Sequence, residues 1–95
     1  GILVIYNAGN SAENGDPAIV DSAYAGGQAL YDVEDPARLL DRTDKPFIKP
    51  EKDYERSGQY TSGTTFLEGL VPFNDQWFIY YGTADSRVGV VRYKP

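Results

Sequence analysis

The side chains able to do chemistry are few, because the 95-residue chain has no Cys and no His. Without Cys there is no disulfide framework, thiolate nucleophile or zinc-thiolate site. Without His the commonest general base at neutral pH and the commonest metal ligand are both absent. Acid–base work therefore falls to Asp, Glu, Tyr or Lys. Glu68 is the foremost candidate. It lies in the run Ser62-Gly63-Thr64-Thr65-Phe66-Leu67-Glu68-Gly69-Leu70-Val71, where strand alternation puts Thr64, Phe66 and Glu68 on one face. A carboxylate beside an aromatic ring and a hydroxyl, flanked by glycines, suits a strand lining a channel. The plainer reading is a Glu that faces solvent or pairs with a basic neighbour. Asp85 follows the Tyr80-Tyr81-Gly82 turn, which places it at a strand end by a channel mouth; the plainer role is a turn Asp bonded to its own backbone. Tyr24, Phe66, Trp77, Tyr80 and Tyr81 have faces that suit stacking on apolar ring faces, although Trp77 in particular reads as core packing. Asp16 and Asp21 fit no calcium-loop spacing and read as solvated.

Charge and composition exclude several classes. Nine Lys+Arg against fourteen Asp+Glu give a net charge of −5, with no basic surplus for a nucleic-acid backbone. The longest apolar runs, Ile2–Tyr6 and Trp77–Tyr81, hold five residues each, against the roughly 20 a membrane helix needs. Neither nucleic acid nor membrane is therefore an expected partner. With 41% hydrophobic residues the chain is too apolar for a disordered tail. It has no Met, and Gly1–Ile5 reads as the inside of a buried strand, so the expectation is a piece of something longer.

The elements that must position these residues are short β-rich runs broken by turns: 2–7, 25–32, 39–42, 63–72, 76–81 and 87–93. Asn74-Asp75 is a tight hairpin turn, and Asp35-Pro36 opens a single helical turn over Arg38-Leu39-Leu40. Asn10–Ser22 is a polar loop. Lys45–Gly58, with Pro46 and Pro50 and charges of alternating sign through Glu55 and Arg56, reads as an extended, solvated connector. The class is all-β.

An internal repeat organises these runs. Ile5–Asn10 lines up with Tyr80–Asp85, and Gly27–Tyr31 with Gly89–Tyr93. The first pair is offset by 75 residues and the second by 62, and the difference of 13 equals the length of the Asn10–Ser22 loop. Two copies of a strand–turn–strand unit, one with an inserted loop, suit blades of a β-propeller. The expected organisation is a partial blade over residues 1–44 (strands B to D), an inter-blade connector over 45–58, and a partial last blade over 59–95 (strands A to C).

The stretches Gln59–Val71 and Trp77–Gly89 resemble the C-terminal part of glycoside hydrolase family 130, the β-mannoside phosphorylases and β-1,2-mannosidases. Ile5-Tyr6-Asn7, Gly26–Asp32 with Asp35-Pro36, and Pro50-Glu51 with Tyr54-Glu55 and Gly58 fit the same family in the same order. The resemblance implies about two partial blades of a five-bladed β-propeller and an inverting reaction on a β-mannoside oligosaccharide, with no cofactor or metal. It implies a general acid in an earlier blade, so that the remaining blades are this chain's partners and the chain alone is inactive. It also implies that Asp85 binds the mannose whose bond is cleaved, that Phe66 lies near the sugar, and that Tyr24 lies on the leaving-group side. The family's phosphorylases tend to have His where this chain has Asn7, and a non-acidic residue where it has Glu68. That contrast implies a hydrolase with Glu68 as the catalytic base and Asn7 at the substrate site. The alternatives are a phosphorylase of the family and a non-catalytic carbohydrate-binding or structural piece. Hydrolases of this type imply a periplasmic or secreted location.

Overall fold

A computed structural model describes residues 1–59 and 61–95; Tyr60, inside the Gln59–Val71 stretch, lies outside the described residues. The all-β expectation holds. Six strands form two antiparallel three-stranded sheets. The first has the order β1 (Ile2–Gly9), β2 (Tyr24–Tyr31), β3 (Leu39–Arg42); the second has β4 (Thr65–Phe73), β5 (Gln76–Thr83), β6 (Arg87–Tyr93). Strand ends differ from the expected ones by at most two residues.

The repeat is visible in the register. Tyr6 pairs with Gly27 across β1 and β2, and Tyr81 pairs with Gly89 across β5 and β6. In both places the Tyr ring lies over the glycine so closely that an added Cβ would collide with it. The same two residues at the same places in each sheet make β1–β2 the structural counterpart of β5–β6. The first sheet continues from this unit into β3, and the second is preceded by β4.

The hairpin between β4 and β5 turns at Asn74 (φ 49°) and Asp75 (φ 58°), with Phe73 and Gln76 paired on either side. Two successive positive φ values give the turn whose twist matches the flanking strands. The turn after β5 repeats this geometry at Ala84 (φ 48°) and Asp85 (φ 55°), closed by the Ser86 N–H donating to the Thr83 carbonyl.

Three expectations are corrected. Arg38-Leu39-Leu40 is not a helical turn: Arg38 N–H donates to the Asp35 carbonyl and Ala37 N–H to the Asp35 carboxylate, after which Leu39 enters β3. The Asp-Pro pair makes a turn, and cross-strand pairing with β2 takes the residues that follow. Trp77 is 41% exposed, because it sits near the tip of the β4–β5 hairpin, paired with Pro72 and Tyr93, while the first sheet packs only at the other end of β4. The connector is neither wholly extended nor wholly solvated. It carries a one-turn helix, α1 (Asp53–Arg56), and Glu55 within it is only 3% exposed.

Buried carboxylates are tolerated when fully bonded, and Glu55 is. Its Oε1 accepts the N–H groups of Glu51 (3.0 Å) and Lys52 (2.8 Å), and its Oε2 accepts the Tyr81 hydroxyl at 2.7 Å. Burial opposes ionisation, but the Lys52 N–H, the Tyr81 hydroxyl and the Glu51 N–H together hold the carboxyl below its ordinary value of 4.5. Burial and the adjacent carboxylate push the Tyr81 hydroxyl well above its ordinary value of 10.0. A lowered carboxyl pKa gives stability that is present above 4.5 and lost as pH falls through the lower folded value. A raised phenol pKa gives stability that is present below 10.0 and lost as pH climbs beyond it. Unfolding followed against pH is therefore expected to weaken on both sides of that window. Tyr81→Phe is expected to cost about 1.5–3 kcal/mol at neutral pH, read by denaturant titration.

Candidate functional site

The two sheets meet where the start of β2 runs beside the start of β4. Tyr24 N–H donates to the Gly63 carbonyl (3.2 Å), and the Thr65 hydroxyl donates to the Tyr24 carbonyl (3.1 Å). Thr65 is fully buried, so this bond anchors the seam out of water. Just beyond it lies a cleft of about 590 Å³. Tyr24, Phe66, Glu68 and Asp85 line it together, with Thr64, Ser22, Thr61 and Ser62 hydroxyls and the Gln59 amide around them.

Each of the four reaches the cleft through a different local device. Tyr24 is the first residue of β2, and its ring meets Phe66 edge-on, with centroids 5.7 Å apart and planes at 61°. Asp85 is delivered by the positive-φ turn after β5. That turn is tied to the rest of the site through Ala84, whose N–H donates to the Thr64 carbonyl and whose carbonyl accepts the Gln59 N–H. Thr64 is held from its other side as well, its N–H donating to the Glu55 carbonyl at 2.9 Å. The buried Glu55 thus anchors the strand start that carries Thr64 and Phe66.

Glu68 arrives by a feature absent from simple alternation. Leu67 pairs with Tyr81 and Gly69 pairs with Tyr80, leaving Glu68 without a cross-strand partner. This one-residue bulge keeps Glu68 on the Phe66 side, then shifts the alternation so that Leu70 faces Ile79's side of the sheet. Gly82 lies beside it: a Cβ there would make ordinary contacts, 3.4 Å from Glu68 Oε1 and 4.0 Å from the Phe66 Cβ, and a larger side chain would not fit as freely.

Asn7 stands apart from this group. Its side chain is turned to the backbone of β4, where Nδ2 donates to the Leu67 carbonyl (2.9 Å) and Oδ1 accepts the Leu67 N–H (2.7 Å). It does not line the cleft that holds the other four. Asp16 and Asp21 serve their own loop, accepting the N–H groups of Ala18 and Ala12. Sequence reasoning did not single out Gln59, Thr61 or Ser62; only the Ser-Thr-rich approach to Glu68 hinted at them. Nothing in the sequence marked Glu55 as the partner of Tyr81.

A neighbouring cavity of about 340 Å³ lies on the other side of β1 and β2, against the Asn10–Ser22 loop and the residues after β3. It holds none of the four convergent groups. The cleft beside β4 combines aromatic surfaces with carboxylates and hydroxyls, groups able to meet the apolar faces and the polar edges of a polyhydroxylated ring.

Two antiparallel sheets that repeat one strand–turn–strand unit and meet side by side have the form of neighbouring propeller blades. Residues 1–94 match the model of a family described as beta-1,4-mannooligosaccharide phosphorylase, glycoside hydrolase family 130. The chain belongs to this family, and its two sheets are part of a five-bladed β-propeller. A Beta-1,2-mannobiose phosphorylase of Thermoanaerobacter sp. (strain X514) is 37% identical over 70 residues, which cover 74% of this chain and 23% of that protein. A solved structure described with the family's glycoside hydrolases that target beta-1,2 mannosidic linkages in Candida mannan is 49% identical. It superposes with a TM-score of 0.95 over 100% of this chain and 26% of its own. The Listeria innocua Beta-1,2-mannobiose phosphorylase, solved with beta-1,2-mannobiose, is 30% identical with a TM-score of 0.78, over 97% of this chain and 23% of its own. The chain thus spans about a quarter of the length of these relatives.

Gly82→Val is expected to drive the Glu68 carboxylate out of the cleft, while Gly82→Ala, whose Cβ makes only ordinary contacts, leaves it in place. Crystal structures of the two variants check this directly.

Proposed function

We propose that the chain is the C-terminal part of a β-mannoside hydrolase, with Glu68 as the base that activates water. Residues 1–44 supply strands B to D of one blade, 45–58 the connector, and 59–95 strands A to C of the last blade. The remaining blades complete the ring and contribute the general acid, so that these 95 residues alone do not turn over substrate. The observation that carries the reading is the bulge that puts the Glu68 carboxylate into the same cleft as Tyr24, Phe66 and Asp85.

In this reading Asp85 accepts hydroxyl hydrogens of the mannose whose bond is cleaved, and its turn fixes it against the strand start at Thr64. Phe66 takes an apolar sugar face, and Tyr24, edge-on to it, borders the leaving-group side. Glu68 removes a proton from water as the water oxygen bonds to the anomeric carbon from the face opposite the leaving group. The glycosidic C–O bond breaks, the acid from outside the chain protonates the departing oxygen, and configuration inverts. The 49% identity and TM-score of 0.95 to the structure described with β-1,2-targeting hydrolases, against 30% and 0.78 for the Listeria phosphorylase, support water as the nucleophile.

The second reading, a mannoside phosphorylase, has the name of the Thermoanaerobacter relative in its favour. The full-length protein assayed on β-1,2-mannobiose separates the two. Hydrolysis in phosphate-free buffer is expected, with Glu68→Gln lowering kcat by at least a thousandfold and leaving the melting temperature within about 2 °C. Strict dependence on inorganic phosphate with release of mannose 1-phosphate would establish the second reading. A Glu68→Gln variant with normal turnover would refute the role of Glu68.

A further inference from the structure

We propose that Asn7 is a positioning residue for Glu68, acting through the backbone of Leu67 and not by contact with substrate. The inference rests on the role just given to Glu68. Three observations carry it. First, Leu67 gives both its N–H and its C=O to the one Asn7 side chain, at 2.7 and 2.9 Å. The amide takes the place of an antiparallel neighbour on the open edge of β4. Second, Glu68 has no cross-strand partner of its own. Its direction is set by the residues on either side, and one of these is Gly69, the most freely turning residue type. Both flanks are paired with β5, Leu67 to Tyr81 and Gly69 to Tyr80, and on the open edge Leu67 is held from the other side by Asn7.

Third, Asn7 and Gly82 occupy the same place in the two copies of the repeat, and the two lie on either side of the Leu67–Glu68 segment. Gly82, on β5, lies against the carboxylate, its Cβ position 3.4 Å from Glu68 Oε1. Asn7, reaching across from β1, holds the peptide that precedes it. The side chain belongs to one sheet and the group it orients to the other, so the pairing also sets how the sheets meet at the cleft. A side chain one methylene longer or shorter displaces Leu67, and a misplacement of about 1 Å at a reacting group costs on the order of a hundredfold in rate.

The test uses the full-length protein with Asn7→Gln, which keeps the amide but lengthens its reach, and Asn7→Ser, which removes it. Both are expected to lower kcat on β-1,2-mannobiose at least tenfold while KM stays within twofold, and crystal structures are expected to show the Glu68 carboxylate displaced. A raised KM with unchanged kcat would make Asn7 a substrate ligand and overturn the proposal. So would a Glu68 carboxylate that stays in place in both variants. Should Glu68→Gln retain full activity, the role given to Glu68 fails, and the crystal structures alone then decide whether Asn7 orients Glu68.

Discussion

The start of β4 is the constraint on which the rest of this structure depends. β4 is an edge strand, bonded to β5 on one side only, and the peptide groups on its other side need partners as they leave water. Among the described residues no fourth strand supplies them. The first sheet and the connector do so piecemeal: Asn7 pairs with Leu67, Tyr24 with Gly63 and Thr65, and the Glu55 carbonyl with Thr64. The buried apolar residues are mostly small, Ala23, Ala25, Ala29 and Ala84 with Ile79 and Tyr81. A seam of small side chains gives close approach but little directional preference, so directed hydrogen bonds fix how the sheets meet. At Gly26 the approach is so close that a Cβ would strike Leu67 and Ile48.

The two copies of the repeat have taken different tasks with the same backbone. In the first, Asn10 sits where the second has Asp85. Asn10 is spent on its own loop: Nδ2 donates to the carbonyls of Asp16 and Ile19, and Oδ1 accepts the Asp16 N–H. Asp85, on a tight turn with no such loop to hold, is left facing the cleft. The inserted residues therefore account for why one copy consumes its polar side chain and the other presents it. The shared Tyr-over-glycine pair persists in both because it belongs to the strand packing, which the two tasks leave unchanged.

Much of this was legible in the residues. The six strand runs, the Asn74-Asp75 hairpin and the offset repeat follow from alternation and turn chemistry, which are local. So was the grouping of Phe66 with Glu68 on one face. The shift of register after Glu68 was not legible, because a bulge answers to the partner strand, here Tyr80 and Tyr81 of β5. Glu55 was hidden for a similar reason. Among the alternating charges of the connector it looks like any solvated carboxylate, and only its meeting with Tyr81, 26 residues away, makes it a buried one. Trp77 failed in the opposite direction. Its size argues for a core, but its place near a hairpin tip carries it past the reach of the first sheet.

The face of the second sheet that carries Phe66 also carries Val71, Tyr80, Val88 and Val90, all exposed. Such a contiguous apolar face on a twisted sheet calls for a covering layer. It lies on the same side as Glu68, so whatever covers it also walls the cleft. In the ring proposed above, that layer is the next blade. The neighbour that satisfies the apolar face then brings its own side chains opposite Glu68. Burial of the valines and completion of the cleft wall then become a single event.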